Sequence, residues 1–220
     1  DSFGGRNRDC AAMLDFALAP EDRVHFRPHQ YLVREAELPQ AVFRIEEGWA
    51  CRFRLMNDGR RQITALFLPG EICEPQWAAG QRAAQPVVAL TNVRASRIDI
   101  MARNERSPEQ RRYLWKALTA AVEWQADWLV TLGRKNALER IAHLLCDIYD
   151  RMSRCGLTYG QQCAMPLTQM DLADLTGLTP VHVNRTLQGM RSDGLIELQS
   201  RWLRIPDLPA LRRAACLMTS

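Results

Sequence analysis

The stretch from Leu167 to Arg204 constrains the fold more than any other part of the 220-residue chain, because two helix starts follow each other closely in it. Thr168 is a favoured N-cap residue, and Asp171 three positions later completes an imperfect capping box. Thr179 and Pro180 repeat the signal as N-cap and first helical residue of a second helix. The stretch therefore predicts two short helices in succession.

The turn between these helices and their inner faces are also visible in the sequence. Gly177 stands between them, where a residue without Cβ turns the chain at no steric cost. Apolar residues at helical spacing predict the faces that pack inward: Leu172, Ala173, Leu175, Val183, Leu187 and Met190. The other positions of the second helix then point outward: Val181, His182, Asn184, Arg185 and Gln188.

Two strand-like runs follow Asp193-Gly194, namely Leu195–Leu198 and Trp202–Ile205, and they predict a β-hairpin wing. Helix, turn, helix and wing together are typical of a winged helix-turn-helix, which inserts its second helix into the DNA major groove. The alternative is an ordinary three-helix core with a solvated polar face. Agreement among caps, turn glycine, outer face and wing favours DNA binding.

Composition sets wider limits. With 220 residues, 47% of them hydrophobic, the chain has room for one large or two small domains with real cores and is not disordered. A net charge of +4 is compatible with DNA binding but does not decide it. We find no secretory signal, transmembrane run or lipidation motif, so we expect a cytoplasmic protein without a membrane partner.

The cysteines predict neither a disulfide framework nor a metal site, since their number, seven, is odd and no two have the C-x₂-C spacing of zinc or iron–sulfur ligands. We expect reduced thiols and no bound cofactor or metal. Cys155 and Cys163, in a predicted loose segment (153–165) beside the DNA-binding unit, are candidates for a redox-sensing thiol.

The N-terminal half has a different texture. A short helix is expected around Ala11–Ala17, and from Val24 to Ile100 short apolar or alternating runs are broken by turn residues such as Asn57-Asp58-Gly59 and Pro69-Gly70. This spacing predicts a jelly roll or another β-barrel. A packed barrel that binds no ligand is the alternative to a sensor.

A long helix is predicted from Ser107, Pro108 and Glu109 to about Leu132. Residues spaced 4-3-4-3-4 form a coiled-coil seam and, with the adjacent Val122, predict a homodimer interface: Leu114, Leu118, Ala121, Gln125, Trp128 and Leu132. The alternative is that this stripe packs only on its own barrel. Gly133 ends the helix and is a candidate hinge before the next helix, which Asn136 caps.

The order β-roll, long helix, winged helix-turn-helix resembles that of the bacterial Crp/Fnr superfamily of transcription regulators. The amino-acid sequence most resembles the alphaproteobacterial FixK-like members of this superfamily. The resemblance rests on residues 58–63, 68–71, 134–142, 167–177, 179–187 and 193–196. It implies an α+β fold with three parts: a β-roll sensor domain (1–106), a dimerisation helix (107–133) and a winged helix-turn-helix domain (134–220). It also implies a DNA-binding regulator, not an enzyme.

Matches to the effector site of cyclic-nucleotide-binding relatives are incomplete. Gly70 and Glu71 match the Gly-Glu pair whose glutamate binds the ribose, but Arg82 is followed by alanine where the phosphate-binding hydroxyl belongs, and Pro75-Gln76-Trp77 fills the start of the nucleotide-binding helix. We therefore expect an unknown signal or none, with cyclic-nucleotide dependence as the alternative and Gly70, Glu71 and Arg82 as candidate pocket residues.

Other cofactors known in the superfamily fit less well. Only Cys10 lies where oxygen-sensing members carry their iron–sulfur cysteines, and His25 and His29 are the candidates for a haem ligand. A cupin-like metalloenzyme is the remote alternative. It needs two or three converging histidines with a carboxylate, and the barrel region holds only these two histidines.

The resemblance also assigns DNA contacts. Arg185 matches a position that reads guanine, Asn184 has the groups to pair with adenine, and Val181 suits a thymine methyl. The full expected set is Thr168, Gln169, Thr179, Pro180, Val181, His182, Asn184, Arg185, Gln188, Arg191, Arg201 and Arg204. Within it, five residues are expected to contact phosphate: Thr168, Gln169, Arg191, Arg201 and Arg204. We expect an inverted-repeat operator with half-sites roughly 34 Å apart, and RNA polymerase as a further partner.

Overall fold

The computed structural model describes residues 23–99 and 108–217, and the chain divides into two compact units, Asp1–Ala126 and Asp127–Ser220. The helix predicted around Ala11–Ala17, Cys10, and Ser107 at the predicted start of the long helix lie outside the described residues. Among the helices that are described, none combines the length and apolar character needed to cross a bilayer.

The first unit is a β-roll of two four-stranded antiparallel sheets, ordered β1-β8-β3-β6 and β2-β7-β4-β5. Side chains from both sheets meet in one core, where Val42, Ile45, Ala50 and Ala89 are fully buried. The jelly roll expected from the sequence is confirmed. The strands are β1 (Arg23–Phe26), β2 (Tyr31–Val33), β3 (Ala41–Glu47), β4 (Ala50–Leu55), β5 (Arg61–Phe67), β6 (Ile72–Cys73), β7 (Val87–Ala89) and β8 (Val93–Asp99).

Helix α1 spans Pro108–Arg134 and belongs to both units, since the division falls between Ala126 and Asp127. In the first unit the helix packs against the β-roll core through Leu114 and Trp124. The predicted end at Gly133 is nearly right, although that glycine lies inside the helix. Helix α2 (Ala137–Arg154) begins after Asn136, which caps it as predicted.

The second unit packs helices against a four-stranded sheet. After α2 come β9 (Thr158–Tyr159), β10 (Gln162–Ala164), α3 (Gln169–Thr176), α4 (Pro180–Ser192), β11 (Glu197–Gln199), β12 (Trp202–Arg204) and α5 (Leu208–Ala214). The sheet order is β11-β12-β10-β9, so the predicted wing hairpin β11–β12 is present and is extended by a second hairpin. The segment predicted to be loose, 153–165, supplies that second hairpin, and this part of the prediction is wrong.

The turn between β3 and β4 generates a stability prediction. Gly48 has φ +81°, and a Cβ there would overlap the backbone carbonyl of Asn92, whereas a Cβ on Gly59 (φ +85°) meets nothing within 4 Å. We expect Gly59→Ala to lower the free energy of unfolding by about 1–2 kcal/mol, the cost of the left-handed conformation alone. Gly48→Ala adds a backbone clash and should cost about 2–5 kcal/mol.

Urea unfolding of the two variants, followed by circular dichroism, measures both costs. Equal midpoints for Gly48→Ala and Gly59→Ala would contradict the close approach of the β3–β4 turn to Asn92.

Candidate nucleic-acid interface

Helix α3 starts on a complete capping box. Thr168 Oγ1 accepts a hydrogen bond from the Asp171 N–H at 3.1 Å, and Asp171 Oδ2 accepts one from the Thr168 N–H at 3.0 Å. The shorter aspartate therefore closes the box that the sequence predicts as imperfect. The Thr168 hydroxyl also donates to Asp171 Oδ2 at 2.6 Å. The Thr168 side chain therefore both donates and accepts hydrogen bonds within the cap.

The turn from α3 to α4 is made by Gly177, which adopts φ 66° and ψ 29° as the C-cap of α3. This left-handed conformation is the one that glycine adopts without strain, so the predicted reason for the residue holds. Thr179 then caps α4, accepting a hydrogen bond from the His182 N–H at 3.2 Å, and Pro180 occupies the first turn.

Helix α4 divides sharply into an inner and an outer face. Val183, Leu187 and Met190 are at most 2% exposed, as predicted. On the outer face Val181 is 71% exposed, His182, Arg185 and Gln188 are exposed, and Asn184 is half-buried. The apolar side chain of Val181 is thus exposed to solvent at the N-terminal end of the helix.

The electrostatics of α4 favour a polyanion. From Pro180 to Ser192 the helix contains no acidic residue, and it carries Arg185 and Arg191, both exposed. The positive end of the helix dipole lies at the same N-terminal turn as Val181 and His182. An exposed, acid-free helix face with two guanidinium groups is the chemistry that binds phosphate and base edges.

A brace from α2 holds α3 in place. The Arg140 guanidinium donates from Nη1 to the Thr176 carbonyl at 3.1 Å and from Nε to the Lys135 carbonyl at 2.8 Å. Charged donors of this kind satisfy the free carbonyls at helix ends. One side chain therefore connects the α1–α2 junction to the last turn of α3, directly before Gly177. The sequence pattern did not single out Arg140.

The wing presents one free arginine and one that is already paired. Arg201 is exposed at the β11–β12 turn, where Ser200 and Arg201 have φ 51° and 66°, the left-handed values that two-residue hairpin turns require. Arg204, also expected at phosphate, instead binds Glu197 across the hairpin at 2.6 Å and is half-buried. The structure therefore places Arg201, but not Arg204, ready for a new partner.

The hairpin β9–β10 buries one of the two candidate redox thiols. Cys163 pairs with Leu203 in the register of β10 and β12, and both side chains are fully buried. Burial raises the pKa of the Cys163 thiol to about 11, which opposes formation of the reactive thiolate. Burial therefore argues against Cys163 as a redox-sensing thiol, while Cys155, the other candidate, is half-exposed directly after α2.

The residues expected at a dimer seam on α1 lie along one face of the helix but differ in their burial. Leu114 and Trp128 are 8% and 5% exposed and turn inward within their own units. Leu118, Ala121 and Leu132 are half-buried, and Gln125 is exposed. A different apolar stripe is open: Trp115, Val122 and Leu129, one heptad apart, are 67%, 59% and 74% exposed.

The expected effector residues Glu71 and Arg82 each form a hydrogen bond with a different part of the β-roll backbone. Glu71 turns back on its own tight turn, where its carboxylate accepts a hydrogen bond from the Leu68 N–H at 3.0 Å, next to Gly70 with φ 92°. Arg82 is exposed and donates to the Ala36 carbonyl at 2.9 Å. The nucleotide-binding arrangement that the resemblance implies for Gly70, Glu71 and Arg82 is thus not formed in this structure.

A buried ion pair lies nearby in the β-roll. Arg52 Nη1 donates to both carboxylate oxygens of Glu74, at 2.8 and 3.0 Å, and its Nε donates to Thr64 Oγ1 at 2.9 Å. Burial raises the pKa of Glu74 although Arg52 opposes the shift. Trp77, in the short 3₁₀ helix Pro75–Ala79 that follows, is 1% exposed and fills the adjoining core.

The histidines considered as haem or metal ligands do not point to a metal centre. His25 and His29 are both exposed. Within residues 23–99 and 108–217, no three histidine, cysteine, aspartate or glutamate side chains converge as the ligands of a metal ion would.

Comparison with known proteins assigns both units. Residues 23–102 match the family described as Cyclic nucleotide-binding domain, and residues 139–214 match the family described as Crp-like helix-turn-helix domain. The chain is 32% identical to the nitrogen fixation regulation protein FixK of Azorhizobium caulinodans, over 86% of this chain and 77% of that protein. It is 30% identical to FixK of Rhizobium meliloti, over 85% of this chain and 84% of that protein.

The fold agrees with a solved structure as well. The structure of FixK2 from Bradyrhizobium japonicum superposes with a TM-score of 0.78, at 23% identity, over 90% of this chain and 98% of that chain. Since the FixK relatives span most of its length, the chain belongs to the Crp/Fnr family of DNA-binding transcription regulators.

Proposed function

We propose that this regulator is a homodimer that reads an inverted-repeat operator, with one α4 helix in the major groove of each half-site. The outer face of α4 carries the proposal, because it is exposed, contains no acidic residue and is held by a buried inner face. Two such helices, about one DNA turn or roughly 34 Å apart, fit successive major grooves on one side of a duplex.

The base-reading roles follow from side-chain chemistry. Arg185 donates hydrogen bonds from two of its guanidinium N–H groups to O6 and N7 of guanine. Asn184 pairs with adenine, and Val181 contacts a thymine methyl. Gln188, Pro180 and His182 complete the contact face of the helix. Asn184 is half-buried, whereas Arg185 is exposed, so Arg185 is the less restricted of these two base-reading side chains.

The phosphate contacts come from groups around α4. Arg191 and Arg201 are exposed cations at the end of the helix and at the wing turn. The side chains of Thr168 and Thr179 are committed to caps, so their part, and that of Gln169, is to bring backbone N–H groups of the helix N-termini to phosphate. Arg204 reaches phosphate only by leaving Glu197.

We place the dimer contact on the open stripe of α1. The heptad series Trp115, Leu118, Val122, Gln125, Leu129 and Leu132 has the 3-4 spacing of a coiled-coil seam. A second copy of the same helix is the occupant that suits such a self-complementary stripe. Leu114, Ala121 and Trp128, which belong to the seam expected from the sequence, then lie outside the dimer contact and pack within their own subunit.

The β-roll responds to a signal other than a cyclic nucleotide, or to none, because Glu71 and Arg82 have other partners. As a regulator of transcription, the protein works with RNA polymerase and in the cytoplasm, where its DNA target lies. Since its relatives are transcription regulators, we assign it no enzymatic activity.

Selection of bound duplexes from a random-sequence pool tests the proposed function. The enriched motif should be an inverted repeat, with a guanine in each half-site that depends on Arg185. An enriched motif without twofold symmetry, or no enrichment at low salt, would reject the dimeric reading.

Arg185→Ala should weaken binding to the selected operator by about 1–3 kcal/mol and relax the choice at one base pair of each half-site, because the bidentate contact to guanine is lost. Fluorescence anisotropy on operator duplexes with each base at that position measures both effects.

Two arginine variants serve as controls for this prediction. Arg201→Ala should weaken operator and scrambled duplexes alike, since it removes a phosphate contact, and Arg213→Ala, on the exposed side of α5, should change neither. The base-reading assignment fails if Arg185→Ala weakens every duplex by the same factor.

Val122→Glu should dissociate the dimer, because it places two carboxylates against each other in a seam whose central position is 59% exposed in the single chain. Sedimentation velocity at micromolar concentration measures the mass. Lys116→Glu, which introduces the same charge at an exposed position outside the seam, is the control and should remain a dimer. A dimeric Val122→Glu would move the interface elsewhere.

A further inference from the structure

A histidine joins the two helices that meet at residues 135–136. His143 on α2 has its Nδ1 atom 2.6 Å from Thr131 Oγ1 on α1 and 2.8 Å from the Nζ atom of Lys135, which lies between the helices. The ring also packs edge-on against Trp128 of α1, with centroids 5.7 Å apart. One imidazole thus contacts the last turns of α1, the junction and α2.

These two short contacts define the protonation state of the ring. An ammonium group only donates hydrogen bonds, so the Nδ1 atom facing Lys135 Nζ must carry a lone pair. The imidazole is therefore neutral, with its proton on Nε2. A second proton on Nδ1 would remove the acceptor that Lys135 binds and would place two cations at a separation of 2.8 Å, whereas the Thr131 hydroxyl can turn and accept that proton.

Burial adds to this conflict. Thr131 is fully buried and Trp128 is 5% exposed, so little water reaches the α1 side of the ring to screen the two cations. Burial lowers the pKa of His143 most, and Lys135 lowers it further, whereas Asp147 on α2 and Asp127 on α1 oppose the shift. Lys135 itself interacts with Glu139, Asp127, Cys146 and Cys216.

The junction that His143 holds is connected to the DNA-binding helices. The Lys135 carbonyl accepts from Arg140, which also binds the last turn of α3. The Asn136 N–H donates to Glu139 in the capping box of α2. The Arg140 guanidinium therefore joins the backbone of Lys135 to the last turn of α3, directly before Gly177 and the start of α4.

We propose that His143 is a proton-operated latch: its neutral ring fixes the α1–α2 junction in the form that reads DNA, and its protonation releases Lys135 and lowers the affinity for the operator. The consequence for DNA rests on the proposed function above, whereas the latch itself does not. Gly133, the hinge suggested by the sequence, lies inside α1 and is exposed, one residue before its end. The latch spans that point from both sides.

The sign of the pH effect follows from the direction of the pKa shift. His143 has a pKa below its ordinary value of 6.5, so below that pH the unfolded or unlatched chain binds a proton that the latched form does not. Acid therefore favours the unlatched form. At about one pH unit below the ordinary value, this linkage amounts to at most a factor of about ten.

The latch is tested first without DNA, by NMR titration of the histidine ring signals in the full chain. The His143 midpoint should lie below 6.5 and should rise in Lys135→Met, which removes the opposing cation. A His143 midpoint unaffected by Lys135→Met overturns the latch, whatever the protein does with DNA.

DNA binding is tested next, with the duplex obtained from the selection experiment. In His143→Asn the side-chain carbonyl accepts from Thr131 and Lys135 but does not titrate. The ratio of wild-type to His143→Asn affinity should fall between about pH 7.5 and about pH 5.5, by at most about tenfold. Every other histidine is common to both proteins and cancels in the ratio.

The outcomes of the two experiments are distinguishable. A constant affinity ratio overturns the effect on DNA binding, and absence of any binding at neutral pH rejects the proposed function while the NMR result still decides the latch. If thermal unfolding shows that His143→Asn does not fold, Lys135→Met takes its place. It removes the cation that protonation of the ring displaces, so the ratio of wild-type to Lys135→Met affinity should fall as the pH is lowered.

Discussion

Burial of the inner face of α4 is the interaction on which the DNA-binding surface depends. Val183, Leu187 and Met190 are almost completely buried, and each contributes about 1.5–3 kcal/mol relative to an exposed position. Because these residues recur every three or four positions, their burial fixes the rotation of the helix about its axis. Arg185 then points to solvent as a direct consequence. A slip of one residue would move Arg185 to a half-buried position, such as those that Asn184 and Thr186 now occupy.

Helix α1 shows why a hydrophobic pattern alone does not determine an interface. The helix has two apolar stripes one residue apart, one containing Leu114 and Trp128 and the other containing Trp115, Val122 and Leu129. Heptad spacing fits both stripes. The β-roll core takes Leu114, and His143 takes Trp128, so the second stripe stays open. Which stripe is free is decided by partners distant in sequence, which a local pattern does not contain.

The parts that the sequence predicted well are those with local causes. Thr168, Gly177 and Thr179 act within one turn of their own position, through a cap or a left-handed backbone conformation. The hairpin β9–β10 was missed because its stabilising partner is β12, some forty residues away, through the pair Cys163 and Leu203. Arg204 was assigned to phosphate for a similar reason, since its ion pair with Glu197 exists only once the hairpin register is fixed.

The same distinction applies to the effector. The Gly70-Glu71 pair is compatible with a nucleotide site, but the carboxylate of Glu71 caps the turn that it belongs to, which a motif cannot reveal. The buried guanidinium of the β-roll, Arg52, is already paired with Glu74. Separating such a pair leaves a buried charge and costs about 3–5 kcal/mol, so an anion that binds Arg52 must replace Glu74 fully. The β-roll therefore supplies its own internal anion, Glu74, to the buried guanidinium of Arg52.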